Sequence, residues 1–107
     1  MIDSIEIVKK QIVDALMPLN PEIIILFGSY AYGVPNKNSD LDICIVEKEY
    51  SNKWKEKEKI RKLLNKIDMP MDILNPKLDE FEFYKNEINS VYYDADKKGI
   101  WLWKKNS

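Results

Sequence analysis

The sequence of 107 residues contains no histidine, one cysteine and three glycines. Without histidine and with a single cysteine the chain suits zinc poorly, because zinc sites are built mainly from imidazole and thiolate ligands. The lone thiol, Cys44, excludes an intramolecular disulfide and fits a reducing cytosol. Its position inside an apolar run marks it as core. Charge of neither sign dominates, since 17 basic residues face 18 acidic ones. No global field therefore steers the chain toward nucleic acid or an anionic membrane. No apolar stretch approaches the ~20 residues that cross a bilayer, and the first residues alternate acids with isoleucines without the basic start of a secretory leader. A cytoplasmic protein with no membrane contact is the expectation. The length suits a single domain over residues 1–107, with enough material for one core and none for a separate substrate lobe. No repeat or low-complexity tract interrupts it.

Apolar residues Ile5, Val8, Ile12 and Leu16 recur every three or four positions, so a helix is expected over about 3–17, with Asp3 or Ser4 as its cap and Pro18 and Pro21 beyond its end. Two apolar runs, 23–27 and 41–46, read as strands. Ser51 or Asn52 opens a second helix with the stripe Ile60, Leu63, Leu64 and Ile67, which Pro70 ends. Met71 to Leu74 is a short third strand. After the Asn75-Pro76 turn, a third helix capped by Asp79 would present Phe81, Tyr84, Ile88 and Tyr92 to the core. Gly99 precedes a last strand, 100–103, on which alternation puts Trp101 and Trp103 on one face, as core or as anchors for a partner. Helices alternating with strands give an α/β or α+β sheet domain. The second helix is rich in lysine, which reads as a solvated face with support from Glu58 and Lys62 one turn apart.

The most informative segment joins the first two strands. Leu26-Phe27-Gly28-Ser29-Tyr30-Ala31-Tyr32-Gly33 puts a glycine turn and a hydroxyl at the end of a strand, where backbone N–H groups can face an anion. Ser39-Asp40-Leu41-Asp42 follows. Carboxylates two apart on a strand project from one face at roughly 7 Å, close enough to share a cation. Asp42 lies inside an apolar strand, where an unpaired carboxylate costs several kcal/mol unless a cation or donors compensate. Asp72 repeats that environment on the third strand, between Met71 and Ile73. Asp68 and Asp79 fall at helix ends, where acids serve capping.

These residues resemble the nucleotidyltransferases related to DNA polymerase beta, whose signature is Gly-Ser, a short loop and Asp-x-Asp on the next strand. Leu26-Phe27, Gly33 and Ser39 extend the match, and the resemblance covers nearly the whole chain. It implies a small palm-like fold with a mixed sheet and flanking helices. It also implies Mg²⁺ held by Asp40, Asp42 and Asp72, with Asp72 as general base. ATP would be the nucleotide donor, its β- and γ-phosphates gripped by Gly28 and Ser29, with Ser39 completing the nucleotide-binding set. The chain departs from many relatives in carrying Tyr30 and Tyr32 where they have a cation, a role that Lys37 in the same loop could take. Stand-alone minimal domains of this family are commonly paired with a HEPN-domain ribonuclease toxin, and some transfer AMP to a tyrosine of it. The resemblance thus implies an antitoxin that adenylylates a HEPN partner in a hetero-oligomer. Neutralisation by occlusion without catalysis is the alternative. Transfer to a small molecule such as an aminoglycoside ranks below both.

Overall fold

A computed structural model describes residues 4–36 and 38–105. Helix α1 (Ser4–Leu16) runs into a 3-10 turn (Met17–Leu19), and the left-handed Asn20 donates its N–H back to Met17 O at 2.9 Å. The expected cap at Asp3 or Ser4 lies outside the described side chains. Strand β1 (Ile23–Phe27) is followed by a one-turn helix, α2 (Ser29–Tyr32), and then by β2 (Leu41–Val46). Helix α3 (Lys53–Leu63) is capped by Asn52, whose side chain accepts from the N–H groups of Trp54 and Lys55 at 3.0 Å. Strand β3 (Met71–Leu74), helices α4 (Leu78–Tyr84) and α5 (Val91–Lys98), and strand β4 (Ile100–Lys104) complete the order.

The strands form one mixed sheet in the order β3-β2-β1-β4. β1 pairs antiparallel with β2 and β4, and β2 pairs parallel with β3. β1 is buried along its whole length, as expected of a central strand covered on both faces. On one face, Ile12, Leu16, Ile60 and Leu64 of α1 and α3 pack against Ile24, Leu26, Leu41, Ile43 and Ile45. On the other, Phe81 and Ala95 of α4 and α5 meet Ile25, Phe27, Cys44 and Val46. Helices on both faces of a mixed sheet match the expected architecture. Burial, and secondarily Glu80, pushes the Cys44 thiol up to about 12, which leaves it an inert part of this second core.

Three expectations fail. The single third helix is two, because Ser90 caps a new start by accepting from Tyr92 N–H at 3.1 Å. Asp79 does not cap α4. Lys77 holds the cap position, and the Asp79 carboxylate accepts from Glu80 N–H at 2.8 Å. Phe81 and Tyr92 still face the core, but Ile88 falls in the break and is 75% exposed. The tryptophans also do not alternate together. A register shift between Ile24 and Ile25 lets Ile100, Leu102 and Trp103 all pack on the α1–α3 core, while Trp101 stays outside that cluster. Trp103 Nε1 donates to Pro21 O at 3.1 Å.

Glu47, just past β2, is buried and accepts from Asn75 Nδ2 at 3.1 Å. Burial, then a hydrogen bond with Glu56, push its carboxyl from 4.5 to about 7, against the lowering influence of Asn75. A raised carboxylate favours the protonated folded state, so its contribution is complete below pH ~4.5 and is lost as pH rises through about 7. Urea unfolding of the wild type between pH 4.5 and 8 should show a loss on the order of 2 kcal/mol that Glu47→Gln removes. An unchanged slope in Glu47→Gln would assign the dependence to other groups.

Candidate active site

The parallel register of β2 and β3 sets Asp42 directly beside Asp72, and the antiparallel register of β1 and β2 sets Asp42 opposite Phe27. Alternation puts Asp42 on the face that carries Cys44 and Val46, the face covered by α4 and α5. Asp42 is half-buried, and Asp40 and Asp72 are exposed. Asp42's carboxyl is held above its ordinary value first by burial, then by Asp72, then by Asp40. Asp72 and Asp40 therefore both act on Asp42 through space. Among the described residues, none of the three has a lysine or arginine within ion-pairing distance. Lys57 and Arg61 of α3 line a cleft of about 360 Å³ that Asp72 also borders, but neither neutralises it.

Gly28 completes the arrangement. Its φ of 75° and ψ of −156° belong to a region open essentially to glycine alone. A Cβ there would run into the Asp42 carboxylate, with Cγ at 2.9 Å. The missing side chain is what lets the acid lie against the turn. Gly28 O accepts from the N–H groups of Ala31 and Tyr32 at 3.0 and 3.1 Å, winding residues 29–32 into one helical turn where the sequence predicts a glycine turn alone. The N–H groups of Ser29 and Tyr30, first in that turn, have no acceptor within it. The Ser39 hydroxyl accepts from Asn36 N–H at 2.9 Å and closes the loop ahead of Asp40.

Tyr30 packs into the α1–α3 core, and Tyr32 is exposed. Lys37 lies outside the described residues. A cation that the sequence reading did not single out, Lys98, has its Nζ 5.8 Å from the centre of the Tyr32 ring. Only the pairing of the last strand with the first reveals that proximity.

The donor set around Asp42 is carboxylate oxygen alone, which suits a hard cation such as Mg²⁺. Among the described residues, no three acid or thiol side chains gather around one point. An ion here would thus be held by one or two carboxylates, with water and substrate oxygens filling its shell, the coordination Mg²⁺ prefers.

The sequence model of a family described as the nucleotidyltransferase domain matches residues 8–102. A protein of Methanocaldococcus jannaschii named as a candidate protein adenylyltransferase is 34% identical over 94 residues, 86% of this chain and 90% of the relative. Among solved structures, a chain of a toxin–antitoxin complex with AMP-PNP has a TM-score of 0.65 at 24% identity, covering 92% of this chain and 74% of the other. A chain from the complex of tri-AMPylated Shewanella oneidensis HEPN toxin with MNT antitoxin has a TM-score of 0.61 at 20% identity, covering 94% and 72%. These two likenesses establish a shared fold.

Removing the central like charge relieves repulsion, so Asp42→Asn should raise the melting temperature at neutral pH without added metal. Millimolar Mg²⁺ should then stabilise the wild type more than the variant. Gly28→Ala should cost about 1–3 kcal/mol, from backbone strain and displacement of Asp42. Thermal melts of the three proteins with and without Mg²⁺ check all of this. An Asp42→Asn protein less stable than the wild type would show that the carboxylate is held by donors rather than crowded by acids.

Proposed function

The chain belongs to the nucleotidyltransferase domain family, and from that premise we propose that it is a Mg²⁺-dependent antitoxin that transfers AMP from ATP to a tyrosine of a HEPN ribonuclease toxin. The observation that carries this reading is Asp42 lying against Gly28 and in register with Asp72, with Asp40 two positions before it and, among the described residues, no lysine or arginine paired with any of the three. A half-buried Asp42 repelled by Asp72 and Asp40 is a standing cost to the fold that a bound cation would offset.

Asp40 and Asp42 would hold the metal, with Asp72 beside them. Bound there, Mg²⁺ supplies positive charge where negative charge develops on the attacking and departing oxygens. The Gly28–Ser29 turn would hold the β- and γ-phosphates through backbone N–H groups and the Ser29 hydroxyl. Asp72 would accept the tyrosine proton as the phenol oxygen attacks the α-phosphorus and pyrophosphate leaves. Its exposure on edge strand β3 suits that task, because an acceptor on another protein must reach the base from solvent. The adenylyltransferase name of the archaeal relative and the AMPylated toxin in one complex of the same fold support the choice of AMP and of a protein acceptor. A cytoplasmic location, where ATP and Mg²⁺ are abundant, goes with this reading.

Incubating the chain with a purified HEPN toxin, Mg²⁺ and ATP labelled at the α-phosphate should place label on the toxin. Asp42→Asn should lower the rate at least about a hundredfold while the two proteins still co-elute on size exclusion. Toxin silenced equally well by the variant, without label, would favour neutralisation by occlusion.

A further inference from the structure

Resting on that reading, we propose that Lys98 supplies the cation that the Gly28–Tyr32 turn lacks and contacts the β- or γ-phosphate of the bound triphosphate. Four observations converge on it. First, the turn carries Tyr30 and Tyr32, and neither ring offers a positive charge. Second, the register of β1 with β4 makes Leu26 and Ile100 partners. The pairing ends there, and Gly28 and Lys98 each lie two residues beyond it along their own segments, Gly28 opening α2 and Lys98 closing α5. Third, this end is pinned. Gly99 N–H bonds Ala95 O at 3.0 Å, and a Cβ at Gly99 would meet Ala95 O, Ile25 Cγ2 and, at 3.1 Å, Leu26 O. The end of α5 is therefore held tightly against the end of β1, immediately before the phosphate turn. Fourth, Lys98 Nζ lies 5.8 Å from the centre of the Tyr32 ring, and Tyr32 sits one turn beyond Gly28, on the same side as Ser29 by helical spacing.

Lys98 is also on the correct face. Ala95, one turn earlier on α5, is buried with Cys44 and Val46 of β2, so the helix packs on the sheet face that alternation also gives to Asp42. The side chain is free to act. Its one ion pair among the described residues, with Asp94, spans 3.9 Å between exposed groups, a contact of small energy. The neighbouring Lys97 is committed elsewhere, to Asn86 at 3.0 Å and Asp96 at 2.9 Å. A lysine tethered by an aromatic ring and a weak ion pair can swing onto a phosphate and replace both contacts with a charge-assisted hydrogen bond.

The test is calorimetric titration with AMP and with AMP-PNP in Mg²⁺, using wild type, Lys98→Ala, Lys98→Arg and Lys97→Ala. Lys98→Ala should weaken AMP-PNP about tenfold and leave AMP within about twofold. Lys98→Arg should recover most of the loss, and Lys97→Ala should match the wild type. Equal losses for AMP and AMP-PNP, or no loss for either, would overturn the assignment while the transferase reading stands. A wild type that does not bind AMP-PNP at all would remove both.

Discussion

The approach of the Asp42 carboxylate to the backbone of Gly28 is the constraint around which the rest of this fold is arranged. A carboxylate at the end of a buried strand needs space, and glycine is the one residue that yields it without surrendering the turn. Because Gly28 takes a conformation closed to other residues, the chain leaves β1 at an angle that winds residues 29–32 into a single helical turn. The loop then returns to start β2 at Leu41, anchored by the bond from its N–H to Pro70 O at 2.9 Å. Backbone, acid and turn are thus one unit, and altering any of them moves the others.

That unit tolerates its own repulsion because the sheet beneath it is well buried. β1 and β2 contribute nine fully or almost fully buried aliphatic and aromatic side chains, divided between two cores. Each such side chain is worth about 1.5–3 kcal/mol of burial. Against that, repulsion of Asp42 by two nearby acids is affordable. The acids also lie at the margin of the sheet, where Asp40 and Asp72 keep water and only Asp42 loses part of its own. Burial first, then Asp72 and Asp40, hold the Asp42 carboxyl above its ordinary value. The destabilised group is the one nearest the glycine turn, so charge brought to that spot gains the most.

Much of this was legible in the residues. The runs Ile23–Phe27 and Leu41–Val46 are too short and too β-branched for helices, and Asn52 announced its helix by chemistry alone. Asp42 was conspicuous because acids are rare among isoleucines. What remained hidden depends on pairing between distant segments. The parallel register that brings Asp72 beside Asp42 leaves no local mark, and neither does the shift opposite Ile24 and Ile25 that separates the two tryptophans. The break between α4 and α5 was marked locally by Asn89-Ser90, a good cap. The apolar period of Phe81, Tyr84, Ile88 and Tyr92 runs across that cap and masked it.

The placement of α5 explains why the chain can dispense with a cation in its turn. An arginine at position 30 would have to occupy the space where the Tyr30 ring packs on the α1–α3 core, exchanging apolar contact for a charge that must find its way to solvent. Position 32 is exposed, and there a ring can serve as a platform for a charge from elsewhere. The β1–β4 pairing already fixes the last turn of α5 beside that ring, since Gly99 admits no side chain between helix and strand. A lysine at the end of a helix is also favoured by the partial negative charge of its terminal carbonyls, so position 98 holds a cation at little cost to the fold. The charge is thus placed by tertiary packing rather than by the motif, and a small domain can then use its turn residues for the core.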